Sequence, residues 1–236
     1  MPHEVATRRV LYEIPGMDAI VPQEFEFPGG DGQPLPGRIY GKDLTQGVVV
    51  IVEGYPDPGF VKHVGCRFMD MQWSISMAQL IAASGMAAMT YANRQPAPDA
   101  KAALDYAHAH AARVAIWATS GHAPVAIGLL DRACCAVLSN PVIRLHEDAP
   151  ARQALHEDAP AGQALPDVSI PIFVVRSGKD ETPGLNAALD TLIADAVAQN
   201  YPITLVNHPD APHAFELYHD SATTRLILRQ ALDFLR

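Results

Sequence analysis

The sequence lacks the features that direct a chain to a membrane, a nucleic acid or an oxidising compartment. No apolar run approaches the roughly 18 residues a bilayer span needs, and the opening MPHEVATRRVLYEIPG contains no apolar stretch of the signal-peptide kind. Lysine and arginine number 17 against 26 acidic residues, a net charge of -9, and the basic residues form no cluster. A phosphate backbone and an anionic membrane surface are therefore not expected partners. Only three cysteines occur, Cys66, Cys134 and Cys135. An odd number without a spaced framework fits a reducing compartment, so the cytoplasm is the expected location. Adjacent cysteines lack the C-x-x-C reach of a metal site, and RACCAVLSNP reads instead as a buried strand. Neither G-x-G-x-x-G nor G-x-x-x-x-G-K-[ST] appears, so nucleotide binding is not expected and no metal or organic cofactor is required.

What is present is an apolar, alternating chain. Hydrophobic residues make up 49% of 236 and charged residues 18%, enough to bury one full core, and a single domain is expected. From Val48 onward, strand-length apolar runs at 48–53, 86–91, 114–119, 135–140, 172–176 and 203–208 alternate with longer helical patterns. These runs are nearly continuous, as parallel strands covered on both faces should be. Helices are expected at Asp70–Ala83, Pro98–Ala112, Pro124–Asp131, Gly184–Gln199 and Ser221–Leu235, with Asp70, Pro98, Asp99 and Ser221 as start signals. Ahead of them FEFPGGDGQPLPGRIYG reads as an antiparallel hairpin that extends one edge. The expected class is α/β, a mostly parallel doubly wound sheet with helices on both faces and an antiparallel N-terminal hairpin. In such sheets ligands collect beyond the carboxyl ends of the strands.

One segment departs from the pattern. LHEDAPARQA at 145–154 is followed at once by LHEDAPAGQA at 155–164, a tandem copy that differs at Arg152 and Gly162. A duplication that lengthened a tolerated surface loop is the simpler account; a small cap or lid at about 143–166 is the functional one. A metal held by His146, Glu147, Asp148, His156, Glu157 and Asp158 is the least favoured, because such tripeptides equally start short solvated helices.

AIWATSGHAPVAI places a small polar trio between an apolar strand and an apolar helix, with Ser120 at the corner. A serine hydroxyl is a poor nucleophile unless a base takes its proton and a third group orients that base. Downstream, IFVVRSGKDETPGLN puts Asp180 just past a strand, and VNHPDAPHAFELY puts His213 between the last strand and the terminal helix. The order serine, acid, histidine is the one a nucleophile on a strand-to-helix turn calls for. Glu181 is the rival acid; His208, His219 and His122 are the rival bases. Taken alone, Ser120 would be an ordinary helix cap. Backbone donors for an oxyanion are expected at Gly121, after the serine, and at Tyr55, in the VVVIVEGYPDPGF loop, where Gly54 allows a sharp turn and Pro56 and Pro58 stiffen the chain beyond it. Trp73, with Met69 and Met71, lines a pocket or belongs to the core.

From Val48 to Arg236 the chain resembles the α/β-hydrolase superfamily, and within it the small dienelactone-hydrolase-related enzymes, through EGYPDPG, ATSGHAP, SGKDETPGLN and APHAF in that order. The resemblance implies a Ser120–His213–Asp180 triad acting on an ester or lactone of a small molecule. Two features depart from the pattern. The elbow G-x-S-x-G has Ala118 and His122 at its outer positions, so the His122 ring must point away from the turn, as pocket lining or as a hydrogen-bonded structural group. Serine stands where dienelactone hydrolases carry cysteine. Glu53 occupies the place of a glutamate near the nucleophile in those enzymes, so its carboxylate is expected to touch Ser120 or another pocket group. A catalytically weak small-molecule binding protein of the same fold, and a peptidase or amidase with the same triad, are the alternatives. A homodimer stays open.

Overall fold

The computed structural model describes residues 6–143 and 169–236. Most of the segment at about 143–166, the tandem copies included, lies outside the described residues. Among the described residues eight strands form one sheet: β1 (Gln23–Pro28), β2 (Pro34–Tyr40), β3 (Val48–Ile51), β4 (Ala87–Tyr91), β5 (Val114–Thr119), β6 (Ala136–Ser139), β7 (Ile172–Ser177) and β8 (Ile203–His208). Their spatial order is β1-β2-β4-β3-β5-β6-β7-β8. β1 pairs with β2 and β2 with β4 antiparallel; every other pairing is parallel. The N-terminal hairpin thus extends one edge, as its turn chemistry predicts. The winding direction changes between β3 and β5, which opens a crevice beyond their carboxyl ends.

Among the described residues the helices are α1 (Asp57–Val64), α2 (Gln72–Ala83), α3 (Pro96–His110), α4 (Ala123–Ile127), α5 (Leu185–Ala198), α6 (Phe215–Tyr218) and α7 (Ala222–Phe234). Side chains alternate across each strand, so one apolar run feeds two cores. Val48, Val50, Ile116, Ala118, Leu138 and Val174 pack with Leu104, Ile127 and Leu189 of α3, α4 and α5. Val49, Ile51, Trp117, Val137, Phe173 and Val175 pack with Met77, Leu80, Ile227 and Leu228 of α2 and α7. Each fully buried aliphatic side chain contributes roughly 1.5–3 kcal/mol.

Several expected boundaries move. α2 begins at Gln72 rather than Asp70, because the Asp70 carboxylate is held by Arg67 at 2.6 Å and Arg38 at 2.8 Å and so caps nothing. α3 begins at Pro96, two residues early: Asp99 Oδ2 accepts the N–H groups of Arg94 and Gln95 at 2.7 Å each, capping the helix from within its first turn. α4 stops at Ile127 and a separate 3-10 turn follows at Leu130–Arg132. Ser221 caps α7 through Thr224 N–H, and Gly184 precedes α5 in the left-handed region at φ 74°. α1 is a helix where the sequence reads as loop: Pro58 sits in its first turn, where a missing N–H costs nothing, and Gly65 ends it at φ 96°. β8 is less covered than its apolar run suggests, with Leu205 exposed, because it is the sheet's edge. The cysteine pair also differs from the reading as buried strand. Cys134 is exposed, Cys135 is buried, and β6 starts only at Ala136.

Candidate active site

Ser120 follows β5 directly and has φ 49°, a left-handed conformation that serine adopts only under constraint, at a cost of about 1–2 kcal/mol. The constraint is visible on both sides of it. Ser120 C=O accepts Val142 N–H at 3.0 Å, and the loop after β3 approaches the turn closely. A Cβ on Gly54 would come within 2.8 Å of His122 Cα and 2.9 Å of Gly121 O, and one on Gly121 within 1.6 Å of the Tyr55 hydroxyl. Neither position has room for a side chain. Gly54 N–H donates to His122 Nδ1 at 2.8 Å, so the imidazole carries its proton on Nε2. The His122 ring turns away from the corner into an aromatic box, 4.1 Å from Phe68 and 5.0 Å from Tyr55 between centroids. A histidine at the outer elbow position thereby ties the elbow to the loop that carries Tyr55.

The loops after β7 and β8 are joined to each other before they reach the serine. Gly178 N–H donates to His208 C=O at 2.8 Å and Lys179 N–H to Ala211 C=O at 2.9 Å. Gly178 permits this approach, since a Cβ there would lie 2.7 Å from Pro209 Cα. Asp180 and His213 consequently face one another. Asp180 Oδ2 accepts His213 Nδ1–H at 2.6 Å, Oδ1 accepts Thr182 N–H at 2.9 Å, and the carboxylate is fully buried. His213 Nε2 lies 2.8 Å from Ser120 Oγ, positioned to accept its proton. Burial alone would lower the His213 pKa; the hydrogen bond and charge of Asp180, with a contribution from Glu216, outweigh it and hold the imidazole above its ordinary value. Burial likewise pushes Asp180 up, but His213 and Thr182 bring it below the usual carboxylate range. The rivals go elsewhere. His208 is buried at the end of β8 and bonded to Thr224 Oγ1 at 3.2 Å, and Glu181 is exposed.

No family model matches the chain, and no curated protein matches it in sequence. Solved structures match it in shape. Brefeldin A esterase, a bacterial homologue of human hormone sensitive lipase, superposes with a TM-score of 0.70 at 15% identity over 99% of this chain and 81% of its own. A hyperthermophilic esterase from the archaeon Pyrobaculum calidifontis gives 0.69 at 15% identity, covering 99% and 88%. Esterase LipW from Mycobacterium marinum gives 0.66 at 15%, covering 98% and 94%. The chain has the α/β-hydrolase fold.

Within this α/β-hydrolase fold Glu53 is a buried group. It is 0% exposed, and among the described residues neither carboxylate oxygen has a hydrogen-bond partner, so it makes no hydrogen bond to Ser120. Its backbone N–H donates to the Tyr91 hydroxyl at 3.1 Å, and its C=O accepts Asn93 Nδ2–H at 3.1 Å. Burial, then the nearby charge of Asp57, pushes the carboxyl to about 10, so it is neutral at pH 7. A folded-state pKa above the unfolded value of 4.5 gives stability that is complete below 4.5 and is lost as pH rises towards 10. The uncharged variant Glu53→Gln has no such loss. Between those limits it is expected to gain on the parent by up to about 1.4 kcal/mol per pH unit. Melting temperatures of both proteins at about pH 6 and about pH 9 check this; equal pH dependence contradicts a neutral Glu53.

Trp73 also belongs to the interior. It is 3% exposed, Met69 and Met71 are buried in the core, and Trp73 Nε1–H donates to Glu216 Oε1 at 3.1 Å. Glu216, three residues after His213, is buried, its Oε2 has no hydrogen-bond partner among the described residues, and burial raises its pKa. Sequence reasoning passes over it; the visible signal is an acid set among Phe215, Leu217 and Tyr218 in a stretch otherwise apolar. Among the described residues no group of three or more His, Cys, Asp or Glu is arranged to hold a metal ion, and no helix is long and apolar enough to cross a membrane.

Proposed function

We propose that the chain is a serine hydrolase that cleaves a carboxylic ester or lactone of a small molecule through an acyl-enzyme on Ser120. The observation that carries this reading is the unbroken line from Ser120 Oγ to His213 Nε2 at 2.8 Å and from His213 Nδ1 to Asp180 Oδ2 at 2.6 Å. His213 takes the hydroxyl proton as Oγ bonds to the carbonyl carbon. The same proton passes to the leaving alkoxide as the C–O bond breaks, and a water repeats the sequence to release the acid. Asp180 holds the imidazole in the tautomer with its proton on Nδ1. The N–H groups of Gly121 and Tyr55 are the proposed donors to the oxyanion, on a turn and a loop packed so closely that a Cβ at Gly54 or Gly121 would collide. The ester class is favoured by the names of the solved structures that share the fold. A free lactone or an alkyl ester needs nothing from the protein beyond this machinery.

A fluorophosphonate probe is expected to label the chain once, at Ser120. A panel of p-nitrophenyl esters, lactones and aminoacyl amides is expected to be turned over in the ester and lactone arms. No labelling, together with no turnover of any member, overturns the reading and leaves a binding protein; turnover confined to the amides makes it an amidase. The pH dependence comes from the histidine. Protonated His213 cannot accept the serine proton, so kcat/KM is expected to rise with pH through a midpoint above the ordinary histidine value of about 6.5. Asp180→Asn, which removes the charge that holds the imidazole up, is expected to move that midpoint down. An acid limb with the same midpoint in both proteins argues against His213 as the base.

A further inference from the structure

Cys134 and Cys135 stand at the amino end of β6, where Cys134 N–H donates to Val114 C=O at 2.8 Å. Ser120 lies past the opposite end of β5, so about 17 Å of strand separates the two places. The thiols are not splayed to opposite faces as in a regular strand. Their sulfurs are 3.9 Å apart, Cys134 on the surface and Cys135 beneath it. The Cys135 thiol first, and then the charge of Arg113, outweigh burial and favour the Cys134 thiolate, the form that attacks soft electrophiles.

A direct disulfide fits this pair poorly. Neighbouring Cα atoms are about 3.8 Å apart, short of the roughly 4.4–6.8 Å that disulfides span. One soft atom inserted between the sulfurs spans the gap better: two bonds of about 2.3 Å at the roughly 100° angle of pyramidal trivalent arsenic place their sulfurs about 3.5 Å apart, a small side-chain rotation from the observed 3.9 Å. A metal ion bound here would need further ligands, and no third His, Cys, Asp or Glu joins the pair among the described residues. A trivalent organoarsenical brings its own third substituent.

We propose that Cys134 and Cys135 form a two-thiol site that binds trivalent organoarsenicals and like thiophilic electrophiles as a single-atom bridge, independent of the ester site. The exposed Cys134 sulfur bonds to arsenic first, and Cys135, held next to it, closes the ring at high effective concentration. For an arsine oxide, two S–As bonds form, the As–O bonds break, and both thiol protons leave with the oxygen as water. Arsenic stays trivalent, and no oxidant or reductant is consumed.

The test uses phenylarsine oxide on the whole chain, read by intact-protein mass spectrometry. The expected result is one dehydrated adduct that survives excess monothiol and is removed by 2,3-dimercaptopropanol. Cys134→Ser and Cys135→Ser are each expected to lose monothiol resistance, while Cys66→Ser keeps it. Because Cys134 is exposed, its serine variant should fold as the parent does, and an unchanged circular dichroism spectrum verifies that. Absence of a monothiol-resistant adduct on the parent, or its survival in the folded Cys134→Ser variant, overturns the proposal. The outcome does not depend on whether Ser120 is a nucleophile.

Discussion

Ser120→Ala is expected to lower kcat/KM for an activated ester by on the order of 10⁴-fold or more, because the residue that forms the covalent bond is removed while its base and orienting acid remain. The fold should tolerate the change. Among the described residues Ser120 Oγ bonds only to His213, and alanine meets the same left-handed φ of 49° as serine did. That φ supplies an internal control. Ser120→Gly should be equally inactive but about 1 kcal/mol more stable than Ser120→Ala, since glycine takes φ 49° without a Cβ penalty. Esterase kinetics and melting temperatures on the two variants test both statements. If Ser120→Ala turns over at the parent rate, Ser120 is a cap and the hydrolase reading is lost. If glycine is the less stable of the two, the strain is not where φ places it.

How much of the molecule is legible in its sequence depends on whether the signal is local. β5 and β8 begin and end where their apolar runs do, and the antiparallel hairpin sits at the edge that its Gly, Pro and Asp turn suggests. Ser120, Asp180 and His213 each announce themselves by following a strand, so they can be named before anything places them together. What sequence cannot supply is long-range partnership. Asp70 looks like a helix cap until Arg38, thirty-two residues away, captures it. Glu53 resembles a pocket carboxylate, yet burial leaves it neutral and, among the described residues, without a hydrogen-bond partner for its carboxyl. Glu216 acquires meaning only from Trp73, 143 positions earlier in the chain. α1 is hidden for another reason. Pro-Asp-Pro-Gly reads as a loop, although proline in a first turn is also how many helices begin. His122 is intermediate: its departure from the elbow pattern is plain, but only the Gly54 N–H and the Phe68 ring give the reason for it.

Gly121→Ala is the smallest change expected to have a large effect. The added Cβ would lie 1.6 Å from the Tyr55 hydroxyl and 2.7 Å from Cζ, so one of the two backbones must retreat. The phenol has little freedom to swing aside, being stacked 6.1 Å from Phe60 and edge-on to His122 at 5.0 Å. Displacement therefore falls on the turn and loop whose N–H groups are the proposed oxyanion donors. Loss of one such donor costs roughly 10²–10³-fold in kcat, and overpacking costs about 1–3 kcal/mol of stability. The two effects separate in a double variant. Tyr55→Phe removes the hydroxyl but leaves Cζ at 2.7 Å, so it should rescue Gly121→Ala only in part, whereas Tyr55→Ala clears the space and should restore more of the stability and of kcat. KM should change less than kcat throughout, because the donors bind charge that develops only in the transition state. A Gly121→Ala protein with parental kcat would mean that the contact between this turn and the Tyr55 loop does not govern the reaction, and that the oxyanion is held by other groups.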